Sequence, residues 1–332
     1  QFMSEPVTET VPAALRLSII IPVYNRASTI DAALSSLCAG GRSDVEVIVV
    51  DDGSSDSSVQ AVKAAIAAYG MSANTTLLQQ DNAGPGAARN RGAEAARGRY
   101  LAFFDSDDRW FPWTLDTCLQ VIADNPAASL FYLQSVDFTR DSGPETPERT
   151  EVETQSFPRF LDAIEAVWQI TYASCNVIIR RDVFDKHRGF THEVRCAEDT
   201  DLFLRADPDG ACVLITSPVM LGREVGAPGS LTGNVACVVG GLDHIVAKER
   251  AGLYPGGAGS DGKRQLLLAG ATISTVRLCF ATGYPGTAYM RLIRNAGILI
   301  RADRWRVGLR LLLTPILSII RPKHYRFRLR QN

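Results

Sequence analysis

The chain has 332 residues, 46% of them hydrophobic and 21% charged, and a net charge of −1. That length and apolar content can fill one large core or two coupled ones, and near-neutrality excludes nucleic acid as the main partner, since phosphate binding needs a basic footprint. The seven cysteines are dispersed without a C-x-x-C pair, which is expected of reduced thiols in the cytosol and not of a disulfide frame or a zinc site. No secretory signal opens the chain, and "QFMSEP" is expected to be a tag remnant ahead of a native start at Met3.

"LSIIIPV" (17–23) is a continuous apolar, β-branched run, the pattern of a strand buried on both faces. "STIDAALSSLCAG" follows with Ile30, Leu34 and Leu37 on one helical face and Gly40-Gly41 as a stop. Strands are expected at 45–52, 75–80 and 99–105, with helices at 58–70 and 86–98 between them. This alternation predicts a doubly wound parallel sheet, in which ligands bind at the carboxyl ends of the strands. Beyond Trp110 the pattern loosens. Helices are expected at 112–126, 157–168 and 198–206, strands at 129–138 and 211–216, a strand running into a short helix at 175–189, and a polar surface loop at 140–154.

A glycine-rich loop (226–233) precedes a mostly helical C-terminal third. From Arg301 to Asn332 nine Lys/Arg oppose one acid, Asp303, so this tail carries 9 − 1 = +8. Its apolar stretch, Val307 to Ile320, is only 14 residues long and holds Arg310 and Pro315, too short and interrupted to span a bilayer. An interfacial amphipathic helix and a core helix with a solvated basic end both fit.

Five stretches carry chemistry, and each also has a plain reading. In "PVYNR" (22–26), Tyr24 offers a flat ring and Asn25 a polar end for a planar base, or the stretch is an ordinary turn. In "VDDGSSD" (50–56), Asp52 suits a base N–H and Asp51 a ribose hydroxyl, while Asp56 suits a helix cap. "DNAGPGAARNRG" (81–92) is a glycine-rich helix entry, with Gly84, Arg89 and Arg91, that favours an anion through backbone N–H groups and the helix dipole, unless the arginines are surface charge. In "FFDSDD" (103–108), Asp105 and Asp107 flank Ser106, so an extended chain would point both the same way, ready for a hard divalent cation shared with phosphate; the alternative is an acidic turn. In "AEDTDLFLR" (197–205), Glu198 and Asp199 stand before an apolar helix, as a general base or as acids complementing the helix dipole.

In order and spacing, SIIIPVYN (18–25), VDDGSSD (50–56), NAGPGAARNRG (82–92), FFDSDD (103–108) and the ED pair at 198–199 resemble family 2 glycosyltransferases of the GT-A fold. The resemblance covers about residues 17–232 and is densest over 17–110; residues 180–205 look like the family's acceptor-side block. It implies an α/β, Rossmann-like, mostly parallel sheet flanked by helices, with a mainly helical C-terminal extension. The expected organisation is a lead-in at 1–16, a nucleotide-sugar half at 17–110, an acceptor half of the same domain at 111–232, and a helical region with a basic, membrane-associating tail at 233–332.

By the same resemblance, Pro22, Tyr24 and Asp52 match residues lining the base, with Asn25, Asp51, Gly84 and Ser106 counted among the donor contacts. Arg89 and Asp105 match residues near pyrophosphate and ribose. Asp107 matches the Mn²⁺ or Mg²⁺ ligand, with Asp105 beside it, and Asp199 the catalytic base, with Glu198 as its neighbour. Two departures stand out. The family's H-P-G-S run reads Ala227-Pro228-Gly229-Ser230 here, so a third metal ligand must be water or a residue such as His244; and His192 stands close to the acceptor block. The Q-x-x-R-W of processive synthases is missing, Arg301 standing where its Gln would be before Arg304-Trp305.

The resulting expectation is a metal-dependent inverting transferase. It would use a nucleotide-sugar, a UDP-sugar foremost, and a lipid-linked glycan or glycolipid acceptor at the cytoplasmic face of an anionic membrane. A nucleotidyltransferase, or a non-catalytic membrane-bound partner in glycan assembly, is the rival class.

Overall fold

The structure is a computed structural model that describes residues 15–37, 42–166, 173–207, 209–226, 231–259 and 261–313. Strands β1 (Leu17–Val23), β2 (Val45–Asp52), β3 (Thr75–Gln80) and β4 (Tyr100–Phe103) alternate with helices α1 (Ile30–Ser36), α2 (Ser58–Ala68) and α3 (Pro85–Ala95). All four strands are parallel, in the order β3-β2-β1-β4. Their side chains alternate between two cores. Ile19, Ile21, Val47 and Val49 pack against Leu34 of α1 and Val62 of α2, while Ile20, Ile48 and Val50 pack against Ala88 and Ala93 of α3. Each such aliphatic side chain removed from water contributes on the order of 1.5–3 kcal/mol, which is why β1, β2 and β4 are buried along almost their whole length, while the edge strand β3 keeps exposed polar side chains.

Helix α3 lies unusually close to β1. A Cβ at Gly92 would stand 2.4 Å from Ile20 Cγ2, so only glycine admits this spacing.

The remainder of the domain is less regular. It runs β5 (Arg109–Trp110), α4 (Thr114–Asp124), β6 (Leu130–Leu133), β7 (Ser135–Phe138), β8 (Glu153–Phe157), α5 (Phe160–Ala166), β9 (Val177–Arg180), α6 (Arg181–Lys186), α7 (Glu198–Ala206), β10 (Cys212–Ser217) and β11 (Leu221–Glu224). The main sheet continues through β4-β9-β6-β10-β8, with β9 and β8 antiparallel to their neighbours, and β5-β11-β7 form a small second sheet. The strand expected at 129–138 is therefore two strands in two sheets, parted at Gln134, whose carbonyl accepts from Met220 N. The segment 153–157, expected to be the end of a loop and the start of a helix, is an edge strand instead. Its exposed polar side chains gave no apolar alternation to read.

Helices α8 (Val235–Arg250), α9 (Gly262–Ala281), α10 (Pro285–Arg294), α11 (Ala296–Arg301) and α12 (Trp305–Leu312) complete the described chain. Asn234 Oδ1 caps α8 by accepting from Cys237 N, and Asp261 caps α9 by accepting from Lys263 N and Arg264 N. Leu242, Leu268 and Val276 of these helices share a core with Leu202 and Phe203 of α7. The buried Asp201 of α7 accepts from Tyr254 Oη at 2.8 Å and pairs with Lys248 of α8. Burial alone would raise its carboxyl, but Lys248, Arg205 and Tyr254 outweigh that and hold it below its ordinary range.

One expectation is overturned here. Cys196 and Cys237 form a disulfide, their Cα atoms 5.7 Å apart. The 41-residue separation hides the pair in the sequence, since only the packing of α8 beside α7 brings the two together. Cys118, Cys175, Cys212 and Cys279 are free and buried. No helix among the described residues is long and apolar enough to cross a membrane.

Candidate active site

Each chemically rich stretch lies just beyond the carboxyl end of a strand of the main sheet or at the entry to α3 or α7. After β1, Tyr24 is 48% exposed and Pro22 half-buried. Asn25 adopts φ 52°, and its Oδ1 accepts from Ser55 N at 2.8 Å, while its own N–H donates to Ser54 Oγ. The carbonyl end of Asn25 thus fastens the β1–α1 turn to the β2–α2 turn. Asp56 adds to this seam by accepting from Ala27 N and Ser58 N.

Asp51 and Asp52 end β2 in opposite directions, as strand alternation requires. Asp52 is saturated: it accepts from Gln80 Nε2, Asn82 Nδ2, Ala83 N and Gly84 N, the two backbone bonds both at 2.8 Å. Its carboxylate therefore shapes the glycine-rich loop from below and has no oxygen left for the base N–H assigned to it. Gly53, at φ +75°, closes this corner, and a Cβ there would stand 2.8 Å from Asn82 N. Asp51 differs. Its Oδ2 accepts only a long bond from Ser54 N, and its buried Oδ1 has no partner. A buried acceptor without a donor costs free energy unless a ligand supplies one, so of the two acids Asp51 is the better acceptor for a donor group.

Along α3, Arg91 points outward and is exposed, whereas Arg89 is buried. The Arg89 guanidinium bridges two motifs far apart in the chain, donating to Asp105 Oδ1 at 2.7 Å and to Glu198 Oε1 at 2.8 Å. Its far side rests 5.5 Å over the Phe190 ring. Burial alone would lower its pKa, but the carboxylates of Asp105 and Glu198 outweigh burial and keep it charged.

Beyond Phe103 the chain does not continue as an extended strand. Asp108 N–H donates to the Asp105 carbonyl at 3.1 Å, closing a turn over 105–108. The alternation that placed Asp105 and Asp107 on one side therefore fails. Asp107 pairs instead with Arg26, 3.4 Å away, while Asp105, Asp108 and the thiol of Cys175 converge, their ligand atoms within 4.8 Å of one another. Asp108 accepts from Glu224 N at 3.0 Å and leaves its buried Oδ2 without a hydrogen bond. Burial, then Asp105, push up the carboxyls of both Asp107 and Asp108. Burial, then Asp108, keep the Cys175 thiol protonated. Ser106 is buried within the same turn.

A turn in which burial and the Asp105 charge raise the carboxyls of Asp107 and Asp108, with one buried oxygen left without a hydrogen bond, fits a hard divalent cation. The oxygens of Asp105, Asp107 and Asp108 suit it, and the protonated thiol does not. His244 does not complete this set: its two ring nitrogens face Glu193 and Asp201. Ala227 lies outside the described residues.

Glu198 and Asp199 open α7 behind Ala197, which sits at φ 65°. Asp199 is half-buried and fixed by three donors: Thr200 N at 2.6 Å, Thr200 Oγ1 and Ser174 N. Burial nevertheless pushes its carboxyl up. Glu198 is fully buried, and burial together with the Asp199 charge pushes it up to about 7 against the pull of Arg89. The exposed His192 lies 3.3 Å from Asn90 Nδ2, outside this cluster. Arg195, unremarked in the sequence, reaches over Gly84 to Asn82 Oδ1. Arg26, Ser174 and Cys175 were likewise missed. Arg26 could have been weighed, since it ends a motif already singled out, whereas no local pattern marks the other two.

A mostly parallel sheet with loops gathered at its carboxyl ends, and an acidic turn linked through one arginine to a second acidic pair, defines an α/β fold of the GT-A kind. The solved structures agree. TarS 1–349 of S. aureus in complex with UDP-GlcNAc aligns with a TM-score of 0.54 and 18% identity, over 88% of this chain and 90% of that one. The mannosyltransferase PcManGT of Pyrobaculum calidifontis, in complex with GDP-Man and Mn²⁺, aligns with a TM-score of 0.55 and 18% identity, over 95% and 83%. The family model described as glycosyl transferase family 2 matches residues 18–188, just over half of the chain, and the chain belongs to that family. An uncharacterized glycosyltransferase of Haemophilus influenzae is 29% identical over 57% of this chain and 61% of its own length. The succinoglycan biosynthesis protein ExoO of Rhizobium meliloti is 41% identical over 32% and 28%. The match thus spans less than two thirds of these relatives.

Proposed function

We propose that the protein is an inverting glycosyltransferase that moves one sugar, or a few, from a nucleotide-sugar to an acceptor hydroxyl. The observation that carries this reading is the Arg89 bridge, which couples the acidic turn to the ED pair. A UDP-sugar is the first donor to test. Tyr24 and Pro22 offer surface for the base, Asp51 an unpaired acceptor, and Gly84 with Asp105 and Ser106 the edge along ribose and diphosphate. Mn²⁺ or Mg²⁺ would be held by Asp105 and Asp107, with Asp108 as the further oxygen donor that the turn supports. When bound, the ion neutralises the charge of the leaving diphosphate.

The remaining chemistry belongs to the chain. Asp199, fixed by Thr200 and Ser174, accepts the proton of the acceptor hydroxyl as its oxygen attacks the anomeric carbon. The bond to the diphosphate breaks on the opposite face, and the configuration inverts without a covalent intermediate. Its raised pKa brings this base nearer to working pH, which favours proton transfer. Glu198 is a poorer base, since it is fully buried and engaged by Arg89, and it serves to hold that arginine and the start of α7.

The acceptor in this reading is a lipid-linked glycan or glycolipid of surface polysaccharide synthesis, met by a peripheral enzyme at the inner face of the cell membrane. The basic tail supports the membrane. The free-thiol argument for the cytosol no longer does so, because Cys196 and Cys237 are paired. The basic run from Arg321 onward lies outside the described residues. The test is donor hydrolysis with Mn²⁺ across UDP-, GDP- and dTDP-sugars. Metal-dependent release of one nucleoside diphosphate is expected, and no turnover of any donor would overturn the reading.

A further inference from the structure

The helices that end the described chain carry a surface the active site does not use. Through α10, Asn295 and α11 the buried positions are Ala288, Leu292, Asn295, Ile298 and Leu299. Between them Met290, Ile293, Gly297 and Ile300 recur at steps of three and four residues and are all exposed. Ile293 is 70% and Ile300 64% exposed. Such steps place Met290 and Ile293 on one face of α10, and Gly297 and Ile300 on one face of α11. Helix α12 repeats the arrangement. It packs on α11 through Gly308, where a Cβ would stand 2.9 Å from Leu299 Cδ1, and it exposes Trp305, Leu309 and Leu313.

Isolated apolar residues at a surface are ordinary, but two ordered stripes on neighbouring helices are not. Charge narrows the choice of occupant. From Pro285 to Leu313 six arginines oppose a single acid, Asp303, and residues 314–332 add five Lys/Arg and no acid. Arg294, Arg301 and Arg306 are exposed beside the stripes, and Arg306 lies 5.2 Å over the Trp305 ring. A second copy of the chain docked here would bring like charges together, whereas an anionic surface would neutralise them. Exposed aliphatic and Trp side chains flanked by arginine are what a helix lying in a lipid interface presents.

We propose that α10, α11 and α12 together form a docking surface for an anionic lipid bilayer, with Ile293, Ile300, Trp305 and Leu309 entering the interface and Arg294 and Arg306 meeting the head groups. This deepens the reading above of a membrane-surface transferase, and rests on it only for the purpose of the contact. It shifts the contact from the tail alone to three packed helices, one of which holds Arg291 against Asp243 of α8.

The test uses the full chain, without donor or acceptor, and vesicles of phosphatidylcholine with or without phosphatidylglycerol, followed by cosedimentation at low and high salt. Binding is expected only to the anionic vesicles and should weaken with salt. Arg294→Ala and Arg306→Ala should each lower the partition coefficient roughly fivefold. Ile293→Ser with Ile300→Ser should lower it by about tenfold or more, with the melting temperature checked to show that these exposed changes leave the fold intact. Equal binding by the isoleucine variant, or no binding by the parent chain, overturns the inference. So does self-association of the parent chain that the isoleucine variant abolishes. Donor hydrolysis measured without vesicles is independent: its failure with vesicle binding intact removes the transferase reading alone, and the converse removes this one alone.

Discussion

The two acidic clusters of the site are built from the same residue types and behave differently. The turn at 105–108 gathers three carboxylates, with Arg26 and Arg89 at its flanks and one oxygen left without a donor. The pair at 198–199 sits at a helix N-terminus, where Thr200 N and Ser174 N donate to Asp199 and Arg89 donates to Glu198. In the turn, burial and the charge of Asp105 raise the carboxyls of Asp107 and Asp108, a rise that a bound cation would offset. At α7 the acids are hydrogen-bonded and only partly neutralised, so they are suited to exchanging a proton. What separates a cation grip from a proton acceptor is thus the supply of local donors, and not the number of acids.

That contrast can be broken experimentally. The largest effect is expected at the proton acceptor. Asp199→Asn should lower transfer by roughly 10²–10⁴-fold while leaving nucleotide binding in place, as measured by initial rates and calorimetry with the nucleoside diphosphate. Undiminished transfer would make the two clusters alike and move the base elsewhere. Next comes the cation grip. Asp107→Ala should cut metal-dependent turnover by on the order of 10²-fold and raise the metal concentration needed for half activity. Asp108→Asn tests whether the orphaned oxygen belongs to the same grip, and an unchanged metal titration would assign Asp108 to the fold alone.

The smallest effect is on stability. Glu198 is held in the folded state at about 7, above its unfolded value of about 4.3. A folded pKa raised in this way favours the protonated folded form. The contribution is complete below the unfolded value and is lost as pH rises through 7, by up to about 4 kcal/mol. Glu198→Gln should flatten the denaturant midpoint between pH 4.5 and 7. The raised carboxyl of Asp199 should separately make the transfer rate of the parent chain climb towards neutral pH, and a flat rate profile across that window would remove the proton-acceptor side of the comparison.

The N-terminal half, residues 17–110, was legible because its physics is local. A strand buried on both faces is apolar through its middle, and the runs at 17–23 and 45–52 say so without help, Ser18, Glu46, Asp51 and Asp52 being their polar exceptions. The part beyond residue 110 was legible only in pieces. Val177–Arg180 reads as a strand, yet nothing in it tells that it runs antiparallel between β4 and β6. Glu153–Phe157 is an edge strand with a polar face. In the site, the motifs located Asp105, Asp107, Glu198 and Asp199, but not their partners. Asp52 looked like a ligand contact and turned out to be a loop anchor, because its four donors come from 80–84 and no pattern within VDDGSSD announces them. The disulfide was hidden for the same reason, its two halves meeting only through helix packing.

The close approach of α3 to β1 carries one more implication. Arg89 holds its place because the helix that bears it can settle against Ile20 where Gly92 has no side chain. The missing carbon atom works as a gauge, setting the height of the helix above the sheet and so the reach of a charge that must touch Asp105 on one side and Glu198 on the other. A methyl group added at Gly92, remote from every reacting atom, would lift that charge off both contacts at once. The tolerance of the site is therefore written in the thickness of the core.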